Sequence, residues 1–326
     1  MLFDFTIDKK QDQHLFDEEK LWDLLIIGGG PAGINAGIYS KRKGLDVGII
    51  SKDLGGQLHN TSAVDNYLGF KDIEGKHLSL AFKDHLESLN VPVLSEVTVN
   101  TLTPMIPNFE LSLSNGKRLK TKTVLITTGG NPRHLGVVGE KDFQNKGVSY
   151  CTTCDAPFFK NKHVIVAGGG NSAAEAILDL SHWASKITLA HRSNWRADQI
   201  LLSKLEGVNN LDIYLQTQIL EIVGNEKMTG VKVLDKTKNE VRTIDADGIF
   251  IEIGTVPNSK WLNGLVTTNE RLEIIVDENQ KTSVNGIYAA GDVTSQPYKQ
   301  IIISAAEGAK AALAINHYLN HEYKGE

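Results

Sequence analysis

Cys151-Thr-Thr-Cys154 holds the only two cysteines in a chain of 326 residues and is followed at once by Asp155. Two thiols separated by two residues can open and close as a disulfide, with a reactivity set by how much thiolate the surroundings allow. A metal site would need more ligands than this pair. The lone His163 is expected to be a surface or packing residue. A purely structural disulfide across two residues closes too short a loop to constrain the unfolded chain much. The pair is therefore read as redox-active, with Asp155 as carrier of the proton that a thiol exchanges at each turnover. Asp155 could instead cap a helix, and the two roles are compatible.

Two glycine-rich turns flank the pair: Gly28-Gly-Gly30-Pro31-Ala32-Gly33 and Gly168-Gly-Gly170-Asn171-Ser172-Ala173. The elements that must position them are legible. A continuous apolar run, 23–27, reads as a strand buried on both faces, followed by a helix over 34–43, Gly44 and a strand over 45–50. A second unit repeats this with a strand at 163–167, a helix over 174–183 and a strand at 186–190. In such a βαβ unit the first glycine allows the tight bend, the second lets backbone approach a pyrophosphate, and the third lets helix and strand pack closely. No acidic ribose ligand is obvious after the first unit, where Ser51 and Lys52 precede a late Asp53. After the second unit the residues are basic. Arg192 and Arg196 suit a 2′-phosphate, which points to NADPH over NADH. Further on, Gly291-Asp292 ends a strand at 286–290, and Lys299-Gln300-Ile301 precede a helix over 304–319. If that helix points its start at a flavin ring, its positive end would stabilise the anionic reduced flavin.

The length fits two α/β domains, and net charge −5 excludes nucleic acid and an anionic membrane as partners. No apolar run is long enough to span a bilayer, and the N-terminus lacks a secretory pattern, so a reducing cytoplasm is the expected location. Residues 1–20 read as a polar surface arm.

Together these residues resemble the low-molecular-weight thioredoxin reductase family of flavoproteins. The resemblance runs from Asp23 to Leu319 through the two glycine turns, Gly55-Gly56-Gln57-Leu58, Asp65-Asn66-Tyr67 and Thr127-Thr128-Gly129. It continues through Cys-Thr-Thr-Cys-Asp, Ile253-Gly254-x-x-Pro257-Asn258 and Ala290-Gly291-Asp292-Val293. The stretches 197–199, 297–303 and 307–310 also resemble the flavoprotein subunit of alkyl hydroperoxide reductase, whose C-terminal half belongs to the same family. That subunit carries an extra thioredoxin-like module with its own cysteines; here electrons are expected to leave directly to a separate protein.

The resemblance implies two Rossmann-like three-layer α/β domains and a homodimer. A discontinuous FAD domain, 21–133 and 259–326, would surround an inserted NAD(P)-type domain, 134–258, that carries the cysteines. FAD would be lined by Gly28, Gly30, Pro31, Ala32, Gly33, Gly56, Gln57, Leu58, Asn66, Thr128, Gly129, Gly291, Asp292, Lys299, Gln300 and Ile301. The nicotinamide nucleotide would use Gly168, Gly170, Asn171, Ser172, Arg192 and Arg196. Cys154 would face the flavin, Cys151 would attack the disulfide of thioredoxin or a thioredoxin-like protein, and Asp155 would act as acid and base. Two departures stand out. The family's His-Arg-Arg-x-x-x-Arg reads His191-Arg-Ser-Asn-Trp-Arg196 here, which leaves NADH or reduced ferredoxin open as donors beside NADPH. Ala156 replaces a usual glycine, a mild change. A peroxiredoxin-linked carrier is the competing acceptor. A non-catalytic redox-sensing flavoprotein is the competing class, which would stop after one equivalent of reductant where an enzyme would cycle.

Overall fold

The structure, a computed structural model, describes residues 15–61 and 63–324. The chain forms two units, residues 1–131 with 256–326 and residues 132–255. In chain order, β1 (Leu21–Gly29) passes through the first glycine turn into α1 (Pro31–Arg42) and returns as β2 (Val47–Leu54). Next come α2 (Gly75–Ser88), β3 (Val93–Leu94), β4 (Val99–Met105), β5 (Asn108–Leu113) and β6 (Arg118–Ile126). After β7 (Gly130–Pro132) the second unit runs β8 (Val148–Ser149), α3 (Thr152–Asp155), β9 (His163–Ala167), α4 (Asn171–Leu180) and β10 (Lys186–Ala190). It continues with α5 (Gln199–Leu205), β11 (Leu211–Tyr214), β12 (Thr217–Gly224), β13 (Met228–Asp235), β14 (Glu240–Asp245) and β15 (Gly248–Ile251). The return is β16 (Thr255–Pro257), followed in the first unit by β17 (Ile287–Ala289) and α6 (Ile301–His321).

The first unit's sheet has the order β3-β2-β1-β6-β5-β4, with β17 paired to the end of β6. β3, β2, β1, β6 and β17 run parallel, and β5 and β4 extend the sheet antiparallel. Leu24, Leu25 and Ile26 of β1 are fully buried because core lies on both faces of a central parallel strand. The second unit's sheet, β11-β10-β9-β15-β8, is wholly parallel, with the β12–β14 meander beside it. Both units are thus mixed α/β folds around a parallel sheet.

Three helices begin earlier than the apolar periodicity indicates, at Pro31, Asn171 and Ile301. In α1 the glycine turn itself serves as the N-cap: Gly30 is extended and Pro31, lacking an N–H, occupies the first helical position. β2 runs on to Leu54 because Gly29 pairs with Leu54 across a register shift.

Of the expected surface arm, residues 1–14 lie outside the described residues. The remainder departs from the expectation at Phe16, which is fully buried and stacks on Trp22 with ring centroids 5.0 Å apart. Gly48 makes room for it, since a Cβ there would come within 2.8 Å of the Phe16 ring. Glu18 accepts the Arg118 N–H at 2.7 Å, and the Phe16 carbonyl accepts from the Lys117 ammonium at 2.9 Å. One aromatic thus anchors a segment whose composition is polar.

Candidate active site

Cys151 and Cys154 are joined as a disulfide, with their Cα atoms 5.3 Å apart. Cys151 is the N-cap of α3 and its sulfur accepts the Cys154 N–H at 3.2 Å. Both sulfurs therefore belong to the first turn of a helix, where free N–H groups favour developing negative charge. Asp155 does not take the capping role: it makes no capping hydrogen bond to the 3₁₀ turn that follows. Its carboxylate accepts instead from the Ser149 hydroxyl at 2.6 Å, and the same hydroxyl accepts the Cys151 N–H at 3.1 Å. Ser149 thereby ties the acid to the cysteine turn. Ala156 needs no glycine, because its φ of −52° is ordinary helical backbone.

Upstream, Glu140 organises the approach to this turn. It is buried and accepts from the N–H groups of Leu135 at 3.0 Å and Gly136 at 2.7 Å, and from the Tyr150 hydroxyl at 2.8 Å. Burial alone would push its carboxyl up. Those donors and His134 together outweigh burial and hold it below the ordinary carboxylate range.

The second glycine turn lies between β9 and α4. A Cβ on Gly168 would sit 2.2 Å from the Glu252 carbonyl oxygen, so only glycine fits. Gly170 is the N-cap of α4 without a side-chain cap, and Ser172 is exposed in the first turn. Asn171 is committed elsewhere: its amide donates to Asp198 at 2.7 Å and accepts the Asp198 N–H at 2.9 Å, pinning the segment after β10. That segment returns to the turn, where the Arg196 N–H donates to the Gly169 carbonyl at 2.7 Å. Arg192 and Arg196 are both exposed. His191 is buried against Gly169 with Nε2 3.0 Å from the Ser193 hydroxyl. Burial, Arg196, Arg192 and Lys236 all lower its pKa and keep it neutral. Lys236, which donates to the Arg192 carbonyl at 3.3 Å, is a third cation at this place. Sequence reading missed it because it arrives from the end of β13. His163 is a packing residue on β9, bonded to Thr188 at 2.9 Å.

The first glycine turn is built the same way. Gly28 has φ +118°, and a Cβ there would meet the Thr127 carbonyl at 2.3 Å. A Cβ on Gly33 would meet the Gly28 carbonyl at 2.0 Å, whereas one on Gly30 would meet nothing within 4 Å. Asp53 accepts the Gly56 N–H at 3.0 Å. Pro31 and Ala32 open α1; Gly56, Gln57 and Leu58 form the 3₁₀ turn after β2. Gln57 donates to the Gly130 carbonyl at 2.7 Å and to Asp292 at 3.3 Å. Asp292 also accepts from Ser304 at 3.1 Å, and burial raises its pKa. Asn66 donates to Gln300, the N-cap of α6, at 3.2 Å; Ile301 is the first helical residue. Thr128 donates to the Asn258 carbonyl at 2.8 Å, and Gly129 takes φ +63°. Lys299 donates to the Thr294 carbonyl, and Glu307 accepts the Gly291 N–H at 2.7 Å.

α1 and α6 both start without a side-chain cap and without an acid in the first turn. Open space over Gly30, uncapped N–H groups and a half-buried acid just after β17 fit a dinucleotide with a pyrophosphate and a polyol. Among the described residues no group of acids, histidines and cysteines could hold a metal, and no helix is long and apolar enough to cross a membrane.

Residues 22–310 match the family model described as pyridine nucleotide-disulphide oxidoreductase. An alkyl hydroperoxide reductase subunit of Staphylococcus aureus is 40% identical over 309 residues, 94% of this chain and 61% of that protein. The chain thus spans about three fifths of the length of that relative. Among solved structures, a thioredoxin reductase from Streptococcus pyogenes superposes with a TM-score of 0.88 at 34% identity, covering 92% of this chain and 98% of that one. A thioredoxin reductase from Giardia duodenalis gives 0.87 at 30% identity, covering 93% and 100%.

Proposed function

Because the chain belongs to the pyridine nucleotide-disulphide oxidoreductase family, we propose that it reduces the disulfide of thioredoxin or a thioredoxin-like protein through Cys151 and Cys154, at the expense of NADPH. The family implies FAD and a nicotinamide nucleotide as cofactors. When bound, FAD would supply the two-electron chemistry that links a nicotinamide hydride to a disulfide. The first unit's glycine turn, Gln57, Asn66, Thr128, Asp292 and the start of α6 are the residues that would hold it. The second glycine turn would take the nicotinamide nucleotide.

The observation that carries the reading is a Cys-x-x-Cys disulfide in the first turn of α3, with an aspartate tied to the same turn through Ser149. In the reduced pair, the Cys151 thiolate attacks one sulfur of the partner's disulfide, forming a mixed disulfide and releasing a partner thiolate. Cys154 then attacks the Cys151 sulfur, releases the second partner thiolate and restores the Cys151–Cys154 bond. Asp155, held by Ser149, takes up and returns the proton of the cysteine that changes state.

NADPH is favoured by the three cations Arg192, Arg196 and Lys236 around His191. Lys236 offers a positive charge close to where Ser193 replaces a family arginine. The relation to the alkyl hydroperoxide reductase protein supports a second reading, in which the acceptor disulfide belongs to a peroxide-reducing system. The FAD-loaded protein should be mixed anaerobically with NADPH, NADH or reduced ferredoxin, and flavin bleaching followed by stopped flow. Turnover is then measured with oxidised thioredoxin or a disulfide-form peroxiredoxin. Rapid bleaching by NADPH and multiple turnovers with thioredoxin are expected; bleaching by ferredoxin alone would overturn the donor assignment. A protein that stops after one equivalent would be a sensor and not an enzyme.

A further inference from the structure

Glu252 follows β15 and interrupts an otherwise apolar run, Ile249-Phe-Ile-Glu-Ile253. Its Oε1 accepts a hydrogen bond from the Thr152 hydroxyl at 2.7 Å. Thr152 is buried, stands between the two cysteines and is the first residue of α3. The Glu252 carbonyl is the oxygen that bars a side chain from Gly168. One residue thus braces the cysteine turn with its side chain and the second glycine turn with its backbone. Burial, with Asp179 and Glu175 on α4, raises the Glu252 carboxyl to about 7 against the pull of Thr152.

We propose that Glu252 is a positioning residue for the redox pair: its carboxylate holds Thr152 at the start of α3 and opposes thiolate formation at Cys151, and its protonation relieves that opposition. The inference rests on the reading of Cys151 and Cys154 as the redox pair. The disulfide is uncharged, so the oxidised pair presents no like charge to the carboxylate. Reduction adds two electrons and two protons to give two thiols, and loss of one proton then places a negative charge on Cys151. The carboxylate, held on the Thr152 hydroxyl one residue from Cys151, repels that thiolate. A half-buried carboxyl that titrates near neutrality therefore sets how readily the nucleophile ionises.

The test reduces the FAD-loaded protein with dithiothreitol, removes the reductant anaerobically, and measures iodoacetamide alkylation of Cys151 against pH by peptide mass spectrometry. In Glu252→Gln the midpoint of alkylation moves down. From about pH 7 up to the parental midpoint Cys151 alkylates about three- to tenfold faster than in the parent, and the two rates converge in acid, where Glu252 is protonated in the parent. Thr152→Val, which removes the hydroxyl and keeps the volume, moves the midpoint the same way by less, and Thr152→Ser restores the parental profile. A Glu252→Gln profile that superimposes on the parent, or shifts upward, overturns the proposal. If Glu252→Gln does not fold, an unshifted Thr152→Val profile overturns it equally. Dithiothreitol opens the pair whatever the natural donor is. A pair that no nucleotide or ferredoxin can reduce would thus defeat the redox reading while leaving this profile readable.

Discussion

Replacing Gly33 by alanine should cost far more than replacing Gly30, three residues away in the same turn. A Cβ at Gly33 would lie 2.0 Å from the Gly28 carbonyl oxygen, and non-bonded heavy atoms settle at about 3.5 Å. α1 would have to retreat from β1 by about 1.5 Å. It cannot retreat freely, because on its other side Gly308 of α6 packs so closely that a Cβ there would be 2.0 Å from the Ala32 carbonyl. Overpacking costs about 1–3 kcal/mol, and a helix wedged between backbone on two sides belongs at the top, about 3 kcal/mol. For a unit of this size that lowers the melting temperature by roughly 6–12 °C. At Gly30, φ is −77° and a Cβ meets nothing within 4 Å. Alanine there should leave the apoprotein as stable as the parent or raise it by about 0.5 kcal/mol through the unfolded state. It should nevertheless lower flavin retention, because the new methyl enters the space proposed for the pyrophosphate. Calorimetry of the flavin-stripped proteins and the flavin-to-protein ratio after purification separate the two effects. The reasoning fails if stripped Gly30→Ala melts as low as Gly33→Ala, or if Gly33→Ala melts with the parent.

Three further outcomes are expected. Glu140→Gln should destabilise the protein by about 2–3 kcal/mol at pH 7, because charge-assisted bonds to Tyr150 and two backbone N–H groups are weakened. Since folding lowers the Glu140 pKa, its contribution is complete above the ordinary 4.5 and lost as pH falls through the folded value. Urea midpoints should thus converge between parent and variant in acid, and a constant gap would refute the assignment. Ser149→Ala frees Asp155 from the cysteine turn. It should lower kcat for disulfide reduction about tenfold or more with little change in flavin bleaching by NADPH, as expected for impaired proton transfer. Arg192→Ala and Lys236→Ala should each raise KM for NADPH about ten- to a hundredfold and leave KM for NADH unchanged, the worth of a charge-assisted phosphate contact. Equal effects on both nucleotides would remove the 2′-phosphate from the account.

Much of the fold could be read from local pattern. The run Leu24–Ile27 and the two glycine turns specify βαβ units without any tertiary information, because a parallel strand must be apolar on both faces. Boundaries were less legible: α1 begins at Pro31 because a glycine in extended backbone can serve as N-cap, which apolar periodicity does not register. Phe16 escaped notice because a single aromatic in a polar segment has no periodicity, and its pocket is made by Gly48, 32 positions on. In the site, Cys151, Cys154 and Asp155 were legible from spacing. The residues that act on them were not. Ser149 and Glu140 reach the turn from β8 and from the loop before it. Glu252 lies 100 residues beyond Thr152 and meets it only because β15 pairs with both β8 and β9. Its one visible signal was an acid inside an apolar run.

The central claim is that Cys151 and Cys154 carry the electrons onward. Oxidised, FAD-loaded protein should be reduced anaerobically with one to several equivalents of NADPH, quenched with an alkylating reagent, and the peptide bearing both cysteines weighed before and after addition of oxidised thioredoxin. The account predicts that both cysteines become alkylated on reduction and return to an unalkylated disulfide when thioredoxin is added. A flavin that bleaches and reoxidises with thioredoxin while the Cys151–Cys154 bond stays closed would contradict it.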